Sequence, residues 1–271
     1  MKRRNFTSLS ALALVTCLGA VSCAQPSQPT SEAAPNADTG ATVELTISVA
    51  ASVQGAMKEV QEAYLAEAPD VSITYNFGSS GSLAQQISQG APTDVFLSAS
   101  KKWMDDLEQQ GQILDGSRKD LLLNSLVLIV PRDKTDVSDF SDFETDKVSK
   151  LALGEPESVP AGKYAQEALA SMNMFDALQP KMVFAKDVRQ VVSYVETGNV
   201  DAGLVYATDA EVSDQVQVIA TAPAESHSPI VYPIGVVGDS ENAEAAQAFV
   251  DFLSSDTAIE IFEEYGFAMA E

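Results

Sequence analysis

Thiol and imidazole side chains are scarce in this sequence, which has two cysteines and one histidine among 271 residues. Cys17 would be removed with an N-terminal secretory signal, and Cys23 stands where that signal ends and is expected to carry a lipid. No free thiol then remains for a disulfide, so the hydrophobic core must hold the fold. The same scarcity argues against a zinc or copper centre, because cysteine and histidine are the usual ligands of these metals.

Basic residues are also few. The chain has 16 lysines and arginines against 39 aspartates and glutamates, a formal net charge of −23, and loss of the three cations Lys2, Arg3 and Arg4 with the signal lowers it to −26. No cluster of lysine or arginine remains in the mature sequence to bind a phosphate backbone, which excludes nucleic acid as a partner. If the ligand is an anion, local dipoles must hold it against an unfavourable overall field.

Motifs of nucleotide binding and of catalysis are absent or incomplete. The sequence has no Gly-x-Gly-x-x-Gly or Walker pattern, and His227 lies in a predicted loop without a nucleophile elbow. Ser98-Ala99-Ser100-Lys101 matches the Ser-x-x-Lys pattern of penicillin-recognising enzymes, but the companion Ser-Asp-Asn and Lys-Thr-Gly motifs are missing. We therefore predict that the protein is not an enzyme. A secreted serine hydrolase that uses Ser98 and Lys101 is the alternative of a different class.

The N-terminus has the organisation of an export signal. A basic head precedes an apolar run of residues 9–21, which is too short to span a membrane. Ala20-Val21-Ser22-Cys23 resembles a bacterial lipobox, in which the cysteine is acylated and becomes the new N-terminus. We predict a signal peptide over residues 1–22, and a lipid-anchored Cys23 with a flexible linker over residues 23–42. This places the protein in the periplasm or on the cell surface; cleavage with release is the alternative.

One local pattern recurs along the rest of the chain: an apolar strand, a turn of small or hydroxylic residues, and the first turn of an amphipathic helix. The first helical N–H groups lack internal partners and carry the positive end of the helix dipole, so several such turns that converge on one point would bind a small dianion with neutral donors. We interpret Ser52 as a helix N-cap. Tyr206 ends a buried strand, where open α/β sheets place ligands. The residues at the four turns are Ser52, Ser80, Ala161 and Val188.

Several stretches resemble the molybdate-binding proteins that feed bacterial ABC importers, and the resemblance runs from about Val43 to Met269. The stretches that carry it are Val49-Ala50-Ala51-Ser52, Phe77-Gly78-Ser79-Ser80-Gly81-Ser82-Leu83, Gly90-Ala91-Pro92-Thr93-Asp94-Val95-Phe96, Gly154-Glu155-Pro156-Glu157-Ser158-Val159-Pro160-Ala161-Gly162-Lys163-Tyr164-Ala165, Lys186-Asp187-Val188-Arg189, Gly203-Leu204-Val205-Tyr206 and Glu264-Tyr265-Gly266-Phe267.

The resemblance implies an α/β fold of the two-lobed type II periplasmic binding-protein class, with a ligand cleft between the lobes and two crossing segments. Lobe one would comprise residues 43–123 and 231–271, and lobe two residues 124–230. The apolar run of residues 121–130 is either a strand buried on both faces or a crossing segment. A second crossing is expected near Val231. We expect a monomer whose lobes close on the ligand by a hinge motion.

The resemblance also implies which groups would hold the oxyanion. Ser52 and Ser80 would donate from hydroxyl and backbone N–H groups, Ala161 and Val188 from backbone N–H groups, and Tyr206 from its phenol. Family members often have a further serine or threonine where Gly81 stands here, which leaves the contributions of Ser79 and Ser82 open. Molybdenum would be bound only as the oxyanion, through the same residues, and no cofactor is implied.

The implied function is capture of molybdate, and of the similarly sized tungstate, for delivery to the membrane permease of an ABC importer. A fully ionised tetrahedral dianion needs only donors, whereas hydrogen phosphate brings a proton that requires an acceptor, and none of the five positions supplies a carboxylate. Sulfate has the same charge and shape as molybdate and differs in size, which depends on cavity volume. A receptor for sulfate or another tetrahedral oxyanion is therefore the alternative.

Overall fold

A computed structural model describes residues 42–270. The predicted signal peptide, the lipid-anchor Cys23 and the linker up to residue 41 lie outside the described residues. Within residues 42–270, no helix combines the length and the apolar character that crossing a membrane requires.

Strands and helices alternate through most of the described residues, which confirms the predicted α/β class. The strands are β1 (Val43–Ala50), β2 (Val71–Gly78), β3 (Val95–Leu97), β4 (Lys119–Leu123), β5 (Leu126–Pro131), β6 (Leu151–Gly154), β7 (Met182–Ala185), β8 (Ala202–Tyr206), β9 (Val216–Thr221), β10 (Val231–Val236) and β11 (Ala268–Met269). The α-helices are α1 (Gln54–Glu67), α2 (Ser80–Ser88), α3 (Lys101–Gln109), α4 (Pro160–Ser171), α5 (Phe175–Leu178), α6 (Val188–Glu196), α7 (Ala207–Glu211), α8 (Ala243–Phe252) and α9 (Asp256–Glu264).

The strands form two sheets. One has the order β11-β4-β10-β3-β1-β2 and the other the order β7-β6-β8-β5-β9. The first sheet therefore combines both ends of the described chain, and the second uses its middle. We call the parts built on the first and second sheets lobe one and lobe two. The chain passes from lobe one to lobe two at Asn124-Ser125, between β4 and β5, and returns before β10.

Hydrophobic alternation explains how lobe one is built. Leu45, Ile47 and Val49 of β1 are fully buried, and β1 pairs in parallel with both β2 and β3. Apolar residues of α1 recur at helical spacing and are buried, namely Ala56, Met57, Val60 and Tyr64. Because β1 and β2 run in parallel, the turns that follow them lie at the same edge of the sheet, which brings Ser52 and Ser80 together.

Lobe two places its turns in the same way. Strand β6 pairs in parallel with β7 and β8, so the turns before α4 and α6 and the end of β8 share one edge. The approach of α4 to its strand requires a residue without a side chain, because a Cβ on Gly162 would lie 2.0 Å from the carbonyl oxygen of Gly154. The edge of lobe two therefore carries Ala161, Val188 and Tyr206.

Candidate functional site

All five residues predicted to hold an oxyanion line one cavity. Ser52 and Ser80 come from lobe one, and Ala161, Val188 and Tyr206 come from lobe two. The volume of this cavity is about 10 Å³. A space of this size suits a small inorganic ion, whereas a sugar or a peptide would need a pocket of a few hundred Å³.

Helix starts supply the backbone donors of this cavity. Ser80 and Val188 are the first residues of α2 and α6, and Ala161 follows Pro160, which has no N–H group, at the start of α4. None of these three N–H groups can bond within its own helix. The dipoles of α2, α4 and α6 therefore direct their positive ends at the cavity from both lobes.

Neighbouring N–H groups at α2 and α6 are already used. The Ser82 N–H group donates to Ser79 Oγ at 3.3 Å, and the Gln190 N–H group donates to Asp187 Oδ1 at 2.8 Å. Asp187 also lines the cavity, where its carboxylate acts as the N-cap of α6. These caps leave the N–H groups of Ser80 and Val188 for a ligand.

Three hydroxyls join the backbone donors. Ser52 Oγ lies 3.0 Å from Tyr232 Oη, and Ser80 Oγ accepts the Ala99 N–H group at 2.9 Å. Tyr206 is 1 % exposed, and its hydroxyl has no hydrogen-bond partner among the described residues. A buried hydroxyl without a partner is costly, so the Tyr206 O–H group is placed to donate to a guest in the cavity.

Burial keeps these phenols protonated. It raises the pKa of Tyr206 and of Tyr232 well above the usual tyrosine range, because a phenolate would lose its hydration in the interior. Burial also raises the pKa of Tyr164, whose ring packs against Tyr206, to about 12. The phenols therefore remain hydrogen-bond donors throughout the physiological pH range.

Sequence reasoning missed a cation beside the site. Arg189 of α6 donates from Nη2 to the Ser52 carbonyl at 3.0 Å and from Nε to the Ala51 carbonyl at 3.3 Å, so it joins lobe two to lobe one. Its Nε also lies 2.9 Å from Oδ1 of Asp209, which is fully buried. The available signal was an arginine in the first turn of a helix, where the dipole disfavours a cation unless an acceptor compensates.

Two further polar residues escaped the sequence analysis because they lie near lobe crossings in apolar surroundings. Tyr232 lies in β10, and Asn124 lies between β4 and β5. Asn124 Nδ2 donates to Tyr232 Oη at 3.3 Å and to Thr208 Oγ1 at 2.9 Å. Ser52 is thereby connected through Tyr232 to the crossing between the lobes.

The serine-rich turn before α2 has a structural role in addition to lining the cavity. Ser79 is the N-cap of α2, and its Oγ lies 2.9 Å from Ser82 Oγ, so both hydroxyls are used at the helix start. The Gly81 N–H group donates to the Ser158 carbonyl of lobe two at 3.0 Å. A side chain at position 81 would collide with that carbonyl, at 2.5 Å from the added Cβ.

The alternative serine hydrolase site is not assembled. Ser98 Oγ donates to the Ser100 carbonyl at 2.8 Å, and Lys101 Nζ is paired with Asp120 at 2.6 Å. A Ser-Lys mechanism requires the lysine to accept the serine proton, and both groups are engaged elsewhere.

Comparison with known proteins agrees with this geometry. Residues 45–268 match the family described as bacterial extracellular solute-binding protein. A putative ABC transporter substrate-binding lipoprotein, YvgL, of Bacillus subtilis is 47% identical over 83% of this chain and 86% of the relative. The molybdate-binding protein ModA of Haemophilus influenzae is 38% identical over 84% of this chain and 91% of the relative.

A solved structure is similar to this chain in both fold and sequence. The structure of the substrate-binding domain of a putative molybdenum ABC transporter from Clostridium difficile superposes with a TM-score of 0.67 at 47% sequence identity, covering 84% of this chain and 100% of that domain. Such identity over nearly the whole described region goes beyond a shared fold. The chain belongs to the family of bacterial extracellular solute-binding proteins.

Proposed function

We propose that this protein captures molybdate, and with it tungstate, outside the cytoplasm and delivers it to the membrane permease of an ABC importer. The observation that carries the proposal is the convergence of five neutral donor positions, from two lobes, on one small cavity. That cavity includes the Tyr206 hydroxyl, which has no hydrogen-bond partner within residues 42–270. The proposal is supported by a relative that is named a molybdate-binding protein and by a solved structure described as the substrate-binding domain of a putative molybdenum ABC transporter. The molybdenum is cargo, bound as its oxyanion, and no cofactor is proposed.

Capture would couple binding to closure of the lobes. Ser52 and Ser80 hold the anion from lobe one, while Ala161, Val188 and Tyr206 hold it from lobe two. An anion between them adds hydrogen bonds that exist only when the lobes are together, so it stabilises the closed state by its differential affinity. The permease can then distinguish a loaded protein from an empty one by its shape.

Calorimetry with molybdate, tungstate, sulfate and phosphate tests the proposal. We expect tight binding of molybdate and tungstate, and weaker binding of sulfate and phosphate. Ser80→Ala should weaken molybdate binding, whereas Lys101→Ala, at the unassembled hydrolase motif, should bind like the wild type. Binding of sulfate in preference to molybdate would assign the protein to the alternative oxyanion.

We also propose that Cys23 carries the lipid that holds the protein at the membrane. The name of the YvgL relative includes a lipoprotein designation, and Cys23 ends the lipobox-like stretch of this sequence. Mass spectrometry of the protein from the membrane fraction should show an acylated N-terminal cysteine. Cys23→Ser should release the protein, and a wild type that is cleaved but unacylated would support release instead.

A further inference from the structure

A chain of hydrogen bonds runs from the lobe crossing to the ligand cavity. Asn124 Nδ2 lies 3.3 Å from Tyr232 Oη, and Tyr232 Oη lies 3.0 Å from Ser52 Oγ. Tyr232 is fully buried and Ser52 is 3 % exposed. Water cannot readily compete with these bonds, so the protein itself decides which atom donates in each of them.

The orientation of the Asn124 amide is fixed from its other end. Asn124 Oδ1 accepts the Ser125 N–H group at 2.8 Å, so the NH₂ group must face Thr208 and Tyr232. An amide NH₂ group can only donate. Tyr232 Oη therefore accepts from Asn124, and its own proton is free to be donated to Ser52 Oγ, 3.0 Å away.

We infer that Asn124, acting through Tyr232, locks the Ser52 hydroxyl as a donor to the bound anion and thereby selects an oxyanion without a proton. Once Ser52 Oγ accepts the tyrosine proton, its own O–H group is directed away from Tyr232, toward the cavity that Ser52 lines. Asn124 and Tyr232 are positioning residues for specificity, since they act through Ser52. The inference rests on the proposed function.

The Ser80 hydroxyl is also oriented as a donor, through a direct contact with the backbone. Its Oγ accepts the Ala99 N–H group at 2.9 Å, and a backbone N–H group can only donate. The Ser80 proton is then free for the ligand. Each serine of lobe one thus accepts a hydrogen bond from the protein and directs its own O–H group away from that donor, which leaves one lone pair instead of two for the proton of a ligand such as hydrogen phosphate.

A carboxylate in the cavity wall does not remove this selectivity. Asp187 Oδ1 is engaged by the Gln190 N–H group at 2.8 Å, where it caps α6. The cap uses only one of the two carboxylate oxygens. Because Asp187 is unchanged in every variant compared below, a change in the preference between ligands reports the polarity of Ser52.

The test compares the dissociation constants of molybdate and inorganic phosphate, at a pH where phosphate is mainly the hydrogen phosphate dianion, with phosphate measured by competition. In Asn124→Asp the new carboxylate accepts the Tyr232 proton, and Ser52 Oγ can then accept from the ligand. In Tyr232→Phe the hydrogen bond that polarises Ser52 is lost, while the ring can still pack against Tyr206 and Phe267. In both variants the preference for molybdate over phosphate should narrow about tenfold, the factor typical of one unpaired buried polar group.

Thr208→Val is the matched control, because it removes the other hydrogen bond of the same amide without reversing the polarity of the chain. It should keep the wild-type preference. The negative charge introduced by Asn124→Asp would weaken the binding of molybdate and of hydrogen phosphate alike. The charge by itself therefore does not change the ratio of the two dissociation constants. An unchanged ratio in Asn124→Asp and Tyr232→Phe, with tight molybdate binding by the wild type, overturns this inference alone. A wild type that does not bind molybdate overturns the proposed function and this inference with it.

Discussion

The Tyr206 hydroxyl is the polar atom of the cavity that most depends on a ligand. It is buried without a partner among the described residues, so the ligand-free closed state carries the cost of an unsatisfied donor. We predict that Tyr206→Phe weakens molybdate binding by roughly tenfold to a hundredfold, because it removes a hydrogen bond to a charged acceptor. The same change should leave the ligand-free protein as stable as the wild type or more stable.

Calorimetry and thermal unfolding of both proteins check the two halves of this prediction. A variant that loses affinity and ligand-free stability together would mean that Tyr206 acts in packing. A variant that keeps full affinity for molybdate would mean that the Tyr206 hydroxyl does not bind the ligand. Ser79→Ala provides a comparison, since loss of the N-cap of α2 should cost about 1 kcal/mol in stability whether or not ligand is present.

Asp209 should make the stability of the fold depend on pH. Burial raises the pKa of this carboxyl to about 7 from an ordinary value of 3.8, although the neighbouring Arg189 lowers it in part. Between about pH 4 and 7 the folded protein therefore holds a proton that the unfolded chain has released. The free energy of unfolding falls as pH rises through this window, and the contribution levels off above it.

Urea unfolding of the wild type and Asp209→Asn at pH 5 and pH 8 measures this contribution, because asparagine cannot titrate. Relative to the variant, the wild type should lose on the order of 2 kcal/mol between the two pH values, from about 1.4 kcal/mol per unit of pKa shift. A constant difference across the range would show that Arg189 holds the carboxyl ionised.

Some site residues could be predicted from sequence and others could not, for a physical reason. Ser80 and Val188 stand at helix starts, and the propensities that create a helix start act over a few neighbouring residues. Arg189, in contrast, contacts the Ser52 carbonyl across 137 positions of the chain. Neither hydrophobic period nor turn chemistry carries information about such a pairing, which exists only once both sheets are formed.

At the scale of elements, the start of α2, in lobe one, contacts the backbone of lobe two. The Gly81 N–H group bonds to the Ser158 carbonyl, and a Cβ at position 81 would lie 2.5 Å from that oxygen and 2.7 Å from the Trp103 ring. The ring edge can move, but the carbonyl belongs to the backbone of lobe two. We predict that Gly81→Ala prevents full closure and weakens molybdate binding by about tenfold or more.

Lobe one itself should tolerate the change, because alanine favours a helix more than glycine does by about 1 kcal/mol. Thermal unfolding should therefore show a ligand-free stability close to that of the wild type and a smaller increase on adding molybdate. Gln85→Ala, at an exposed position of the same helix, is the control and should bind normally. Normal molybdate binding by Gly81→Ala would show that the lobes can separate at this contact without loss of affinity.

Element boundaries show where sequence periodicity stops being informative. The apolar run of residues 121–130 was open to two interpretations, one strand or a crossing, and the structure divides it at Asn124-Ser125 into β4 and β5 of different sheets. Periodicity reports burial but not which sheet buries a strand.

The prediction of Ser52 as a helix N-cap was wrong. A 3-10 turn, Ala51–Val53, precedes α1, and Val53 is the N-cap of α1. This turn places Ser52 against Tyr232.

At the scale of the whole molecule, an acidic body must attract an anion. The sequence carries a formal charge of −23, so the long-range field repels a dianion. The attraction comes from helix dipoles and hydroxyls that act only within the cavity. Long-range repulsion should slow the encounter, while short-range donors should set the lifetime of the complex.

Salt separates these two contributions. The Debye length falls from about 30 Å at 0.01 M to about 10 Å at 0.1 M, so added sodium chloride screens the net charge but not contacts inside a closed cavity. We predict that the association rate constant of molybdate rises a few-fold over this range and that the dissociation rate constant stays nearly constant. Stopped-flow fluorescence can follow both, since Trp103 is the single tryptophan and its ring lies against Gly81, at the contact between the lobes. An association rate that falls with salt would mean that the ligand meets a locally positive field, from Arg189 and the helix starts, before it reaches the cavity.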